Sequence, residues 1–79
     1  MKNVTIYTKN YCPYCRGAKQ ILQKKGIEFT EYDVQFNHEK QQEMIQRSGR
    51  MTVPQIFFDD DHIGGYDDLS KYFSPRKAA

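Results

Sequence analysis

Val4-Thr5-Ile6-Tyr7-Thr8 alternates apolar and polar side chains, the two-residue period of a strand. Lys9-Asn10-Tyr11 turns the chain out of it. The period then changes. Cys15, Ala18, Ile21 and Leu22 recur at helical spacing along one face, which predicts a helix over about 13–25. Pro13 suits its first position, where a missing N–H costs nothing, and Cys12 falls at the N-cap. Lys24 and Lys25 complement the dipole at the far end, and Gly26 stops the helix. Ile27 to Val34, with Phe29 and Tyr32, predicts a second strand. Reached through a helical crossover, it pairs parallel to the first in a right-handed βαβ unit. Asn37 caps a second helix running through about Ser48, with Gly49 as its stop. Its few apolar residues, mainly Met44 and Ile45, make it a surface helix. Val53 to Phe58 reads as a strand that opens with a proline, tolerated there but not within the ladder. Asp59-Asp60-Asp61 is a tight turn, and His62-Ile63-Gly64 returns to make a hairpin. Gly65 breaks it. Asp67-Asp68 then opens a short last helix with Leu69, Tyr72 and Phe73 on its buried side. The order βαβαββα specifies an α/β protein: a four-stranded mixed sheet flanked by three helices.

Length changes this picture little. With 79 residues, 38% of them hydrophobic and 14% aromatic, the chain has material for one small domain over 1–79, with 74–79 a loose tail. No apolar run approaches the ~20 residues that a membrane span needs. Met1 to Thr8 lacks the apolar stretch of a signal peptide. A cytoplasmic protein is the expectation, with no membrane partner and a monomeric state.

Charge changes it more. The net charge is +2, yet residues 1–27 carry six basic side chains (Lys2, Lys9, Arg16, Lys19, Lys24, Lys25) and no acid. All ten acids fall in residues 28–68, with only Lys40, Arg47 and Arg50 against them. Lys24 and Lys25 read as a solvated helix face. Lys9 and Arg16, nearest the cysteines, favour a thiolate and attract anionic substrates. A net +2 is far from the basic footprint of a nucleic-acid binder, so that class is set aside.

Cys12-Pro13-Tyr14-Cys15 holds both cysteines of the chain. A bridge enclosing so few residues constrains little of the unfolded chain, so stapling explains the pair poorly. At a helix N-terminus the first N–H groups lack intrahelical partners and the macrodipole favours negative charge, so a thiolate is stabilised there. Cys12 lies outside the first turn and is the attacking thiol. Cys15, one turn in and more buried, is the resolving one. Zinc is the main rival, but a structural site needs four ligands. His38 and His62 sit at unrelated points and read as exposed polar residues. No metal site is assigned. An iron–sulfur cluster shared between two chains stays open, with Pro13 stiffening the loop against it.

Three motifs, Cys12-Pro13-Tyr14-Cys15, Thr52-Val53-Pro54 and Gly64-Gly65-Tyr66-Asp67-Asp68-Leu69, follow one another in a set order. With them, from Tyr7-Thr8-Lys9 to Leu69, the chain resembles a glutaredoxin of the thioredoxin superfamily, dithiol class. Its length and the Arg47-Ser48-Gly49-Arg50 approach look most like the bacterial glutaredoxin 3 type. The resemblance implies a thioredoxin-like fold and a cis Val53–Pro54 bond, where the prior for an X–Pro bond is about one in twenty. It implies that the Val53 backbone, flanked by Thr52 and Pro54, pairs with an extended peptide, which in this family is glutathione. Lys9 then takes the glycyl carboxylate, with Gln41 assisting. Gly65, Tyr66 and Asp67 meet the γ-glutamyl end, where helix N–H groups suit its carboxylate and an aspartate suits its ammonium. Tyr14 lines the groove; capping is the plainer role of Asp67 and Asp68. Two departures stand out. Tyr66 occupies a position where relatives often carry a small residue or cysteine, and the last helix is short, with Pro75 soon after Phe73.

The implied activity is glutathione-dependent reduction of protein–glutathione mixed disulfides and of protein or small-molecule disulfides. Glutathione is the reducing co-substrate, and no cofactor is bound. Glutathionylated or disulfide-bonded proteins are the partners, ribonucleotide reductase among the candidates. Two other classes stay open. One is a redoxin fed by thioredoxin reductase and serving ribonucleotide reductase. The other is a non-catalytic iron–sulfur cluster carrier.

Overall fold

The computed structural model describes residues 3–74. The strands are β1 (Val4–Thr8), β2 (Thr30–Asp33), β3 (Gln55–Phe58) and β4 (Asp61–Gly64). The helices are α1 (Pro13–Lys24), α2 (His38–Ser48) and α3 (Tyr66–Phe73). They alternate in the expected order. The sheet runs β2-β1-β3-β4, with β1 and β2 parallel and the other pairs antiparallel. It is the expected four-stranded mixed sheet with three helices.

Strand alternation sorts the core into two layers. Val4, Ile6, Ile56 and Phe58 point to one face, where Ala18 and Leu22 of α1 and Leu69 of α3 cover them. Tyr7 and Phe57 point to the other, against Val34 and against Met44 of α2. Both central strands are therefore buried on two sides. The polar surface of α2 docks through hydrogen bonds as well as through Met44. The Tyr7 hydroxyl donates to Glu43 Oε2 at 2.6 Å, and Arg47 Nη1 donates to the same hydroxyl at 3.0 Å. The Arg47 guanidinium also lies 4.0 Å over the Phe57 ring and donates to the Asp59 carbonyl.

Four boundaries and placements differ from expectation. β2 begins at Thr30 because the Ile27 N–H is spent on the Leu22 carbonyl (2.9 Å), closing α1 beyond its positive-φ Gly26. β3 begins at Gln55, the first residue in register with β1; Pro54 has no N–H to offer the ladder. The hairpin turn is only Asp59-Asp60, with Asp59 at φ 56°, so Asp61 belongs to β4. Tyr72 is not on the buried side of α3. Leu69 and Phe73, four apart, face the core, whereas Tyr72 is 53% exposed and meets Phe58 and Phe73 edge-on at ring distances of 5.0 Å. The short last helix is eight residues long and ends with Ser74 in extended backbone, as suits a residue before proline. Of the expected loose tail, 75–79 lie outside the described residues.

The topology sets the site. Parallel β1 and β2 end at the same edge, and antiparallel β3 begins there. The turns leaving Thr8 and Asp33 and the loop entering Gln55 thus meet beside the start of α1.

Candidate functional site

Tyr11, at φ 57°, reverses the chain as it leaves β1 and delivers Cys12 to the N-cap of α1. Cys12 is extended (φ −110°, ψ 104°), and its Sγ accepts the Cys15 N–H at 3.2 Å. No acidic side chain stands in the first turn to oppose a negative charge there. Both cysteines are free thiols, and they differ in environment: Cys12 is half-buried, Cys15 only 2% exposed. Burial, and then the hydrogen bond with Cys12, pushes the Cys15 thiol up to about 12, against a backbone hydrogen bond from Lys9 that lowers it. The two sulfurs are thus unequal in the sense expected. Among the described residues no group of three or more His, Cys, Asp or Glu side chains converges as a metal site.

The second wall is the loop into β3. The Val53–Pro54 bond is cis, as the resemblance implies, and the Val53 carbonyl lies 3.9 Å from Cys12 Sγ. A buried amide braces this loop. Gln55 Nε2 donates to the Thr52 carbonyl (3.0 Å) and hydroxyl (3.2 Å), and its Oε1 lies 2.7 Å from His62 Nε2. His62 is therefore not a plain exposed residue. Its ring is half-buried against Phe57, and burial, followed by the nearby Arg50 charge, lowers its pKa.

The third wall is the start of α3. Gly65 is its N-cap, and the Asp68 carboxylate accepts the Gly65 N–H at 3.0 Å. That bond, against an opposing effect of burial and with help from the nearby Arg50, holds Asp68 below the usual carboxylate range. Arg50 Nη1 is 3.6 Å from Asp68. Gly64 (φ 121°) admits no side chain, since a Cβ there would overlap the Asp68 carboxylate. The Tyr66 ring lies against α1 and 5.7 Å from the Tyr14 ring.

These walls enclose a cavity of about 220 Å³. Tyr14, Thr52, Val53, Pro54, Gly65, Tyr66 and Asp67, all singled out from the sequence, line it together with Asp68. Lys9, next to the Cys12 turn, and Gln41, on α2, do not line it, and neither do Cys12 and Cys15, though Cys12 Sγ lies 3.9 Å from the Val53 carbonyl. Sequence reasoning missed Arg50 and Gln55, which do. Arg50 had a signal: it is one of three cations in an otherwise acidic stretch, two residues before Thr52. Gln55 had none, because a glutamine in a strand gives no hint of burial. A larger cavity of about 690 Å³ lies elsewhere, between the Ile27–Thr30 segment and the end of α3; it contains no cysteine.

A dithiol at the mouth of the first helix, facing a cis-proline loop on this sheet, defines a thiol–disulfide oxidoreductase of thioredoxin-like fold. Comparison with known proteins narrows the class. Residues 4–63 match the Glutaredoxin family model. Over 69 residues the chain is 59% identical to Glutaredoxin 3 of Escherichia coli (strain K12), covering 87% of this chain and 83% of that protein. The solution structure of glutaredoxin from Brucella melitensis superposes with a TM-score of 0.76 at 51% identity, covering 90% of this chain and 77% of that one. The crystal structure of a buckwheat glutaredoxin–glutathione complex gives 0.77 at 27% identity, covering 89% and 66%. The chain belongs to the glutaredoxin family.

Proposed function

We propose that this protein is a glutathione-dependent dithiol oxidoreductase that reduces protein–glutathione mixed disulfides and protein or small-molecule disulfides in a reducing, cytoplasmic compartment. The observation that carries the reading is the inequality of the thiols. Cys12 Sγ sits at the helix mouth, accepts the Cys15 N–H at 3.2 Å and lies 3.9 Å from the carbonyl of Val53, a residue that lines the cavity, while Cys15 is only 2% exposed.

Cys12 thiolate attacks the glutathione sulfur of a mixed disulfide. The new bond joins Cys12 to glutathione, the old disulfide breaks, and the protein sulfur leaves as a thiolate that takes up a proton. A second glutathione thiolate then attacks the glutathione sulfur held on Cys12, giving glutathione disulfide and free Cys12. With a protein disulfide, Cys15 displaces the target from Cys12, giving up its proton as the Cys12–Cys15 disulfide forms. Two glutathiones then restore both thiols. The high pKa of Cys15 suits this order, since Cys15 stays protonated until Cys12 is already joined to its target.

Glutathione fits the cavity by its chemistry. Its peptide backbone lies along Thr52-Val53-Pro54. Its γ-glutamyl carboxylate meets the N–H groups at the start of α3 and the Arg50 guanidinium, and its ammonium meets Asp67. Lys9, with Gln41, takes the glycyl carboxylate outside the cavity lining. The glutathione complex of the buckwheat relative supports the ligand class.

Glutathione-dependent turnover of a glutathionylated peptide by wild type, Cys12→Ser and Cys15→Ser tests the reading. Cys12→Ser is expected to be dead and Cys15→Ser active. A wild type inactive with glutathione but active with thioredoxin reductase would sink it.

A further inference from the structure

Large exposed apolar side chains on this molecule are concentrated at one end. Among the described residues five exceed half exposure; three of them, Tyr11 (91%), Phe36 (80%) and Met51 (68%), lie on the connections that meet beside the start of α1, and a fourth, Tyr14, lies in its first turn. Scattered exposed apolar residues are ordinary; a cluster at one end is not. Tyr11 directly precedes Cys12 and holds a left-handed backbone (φ 57°) that a bulky residue seldom adopts. Phe36 is brought to it by the neighbouring Gln35, whose Oε1 accepts the Asn10 N–H at 2.9 Å. Met51 stands two residues before Val53, whose carbonyl lies 3.9 Å from Cys12 Sγ.

We propose that Tyr11, Phe36 and Met51 form a docking collar for the polypeptide that carries the target sulfur, selecting cysteines flanked by apolar residues within an acidic segment. The inference rests on the exchange chemistry of Cys12 proposed above and names its preferred substrate. The chemistry fixes the occupant. A polypeptide whose sulfur is joined to Cys12 Sγ lies beside the turn that carries Tyr11 and the loop that carries Met51, next to the Val53 carbonyl. The charge is complementary to an acidic segment. Lys9 and Arg16 flank the same turn and form no ion pair among the described residues, within a stretch of chain that holds no acid from 1 to 27. Glutathione itself is accounted for by the cavity on the α3 side, whose lining includes none of these three side chains.

Two glutathionylated peptides separate the collar from the glutathione site. In one, glycine and serine flank the cysteine; in the other, leucines flank it, with glutamates beyond. The collar is read as the second-order rate of peptide-thiol release in a single turnover without free glutathione. Wild type is expected to favour the leucine–glutamate peptide about tenfold, the equivalent of about 1.4 kcal/mol. Tyr11→Asn/Phe36→Ser/Met51→Ser is expected to lose that preference and to keep the wild-type rate on the glycine–serine peptide. Asparagine is chosen because it tolerates the left-handed backbone. Equal wild-type rates on the two peptides, or a preference that survives the triple variant, would overturn the collar. Glutathione-driven turnover of the same peptides reads the underlying function separately, so its failure is not mistaken for failure of the collar.

Discussion

Tyr66 occupies space that Gly17 leaves open. A Cβ added at Gly17 would lie 2.8 Å from Tyr66 Cε1, closer than carbon atoms pack. Glycine inside a helix costs about 1 kcal/mol relative to alanine. Here it admits the aromatic ring that walls the cavity and meets Tyr14. Gly17→Ala should therefore fail to stabilise the wild type, because the ring must move. In a Tyr66→Ala background the same change should add about 1 kcal/mol. Urea unfolding of the four proteins measures the coupling, expected at about 1 kcal/mol or more. Equal effects of Gly17→Ala in both backgrounds would show that the contact carries no energy.

That contact marks the limit of what the sequence discloses. The order of elements was legible because alternation at Val4–Thr8 and helical spacing from Cys15 to Leu22 each report burial directly. The cavity walls were legible through their motifs, since Cys12-Pro13-Tyr14-Cys15, Thr52-Val53-Pro54 and Gly65-Tyr66-Asp67 are local. Partnerships between distant residues were not. Nothing local to Gly17 in the sequence points to Tyr66, whose ring lies against it. His62 reads as an exposed polar group until its ring meets Gln55, whose buried amide braces Thr52. Tyr72 has the spacing of a core residue but lies at the margin of the α3 face, where a helix of eight residues runs out of sheet to cover.

The Cys15 thiol gives the reduced protein an alkaline weakness. Its pKa is raised from 9.0 to about 12. Above pH 9 the unfolded chain releases a proton that the folded chain retains, so stability is full below that pH and falls as the pH rises toward 12. The slope should reach the order of 1 kcal/mol per pH unit. Tyr7, raised first by burial, adds a slope of the same sign only above 10.0. Denaturant unfolding of reduced wild type between pH 8 and about 10 should show the decline, and Cys15→Ser should lack it. In the same range Cys15 should resist iodoacetamide while Cys12 is alkylated, as read by mass spectrometry. A profile shared by wild type and Cys15→Ser would contradict the assignment.

Glu43 sets part of the acid limb. The Tyr7 hydroxyl, and then the Lys40 ammonium, hold its carboxyl below the ordinary 4.5. A depressed carboxylate contributes stability above its unfolded pKa, and that contribution is lost as pH falls through the folded value. Glu31 acts in the same direction: burial raises it, but hydrogen bonds from Thr8 and Lys19 prevail. Glu43→Gln keeps an acceptor for Tyr7 and removes the charge. With the group partly exposed, the loss at pH 7 should be about 0.5 kcal/mol. Thermal melts should separate wild type from Glu43→Gln at pH 7 and converge toward pH 3. Curves that stay parallel would assign the difference to packing rather than charge.

Arg50 should hold the anionic end of glutathione. Among the described residues it is the one cation lining the cavity, which Asp67 and Asp68 also line. The Ser48 hydroxyl accepts its N–H at 3.0 Å, just past the left-handed Gly49 (φ 73°), so the residue is placed by backbone rather than by chance. A charge that meets glutathione equally before and during sulfur transfer acts on KM, not on kcat. Arg50→Gln is therefore expected to raise KM for glutathione about fivefold, in line with one charge-assisted hydrogen bond at a half-exposed site, and to leave kcat unchanged. The fold should survive, because the pair with Asp68 is exposed and Asp68 keeps its bond to the Gly65 N–H. Raised salt should increase KM for wild type and much less for the variant, since screening removes what the substitution has already removed. A variant with wild-type KM and wild-type salt dependence would show that the glutathione carboxylates bind elsewhere.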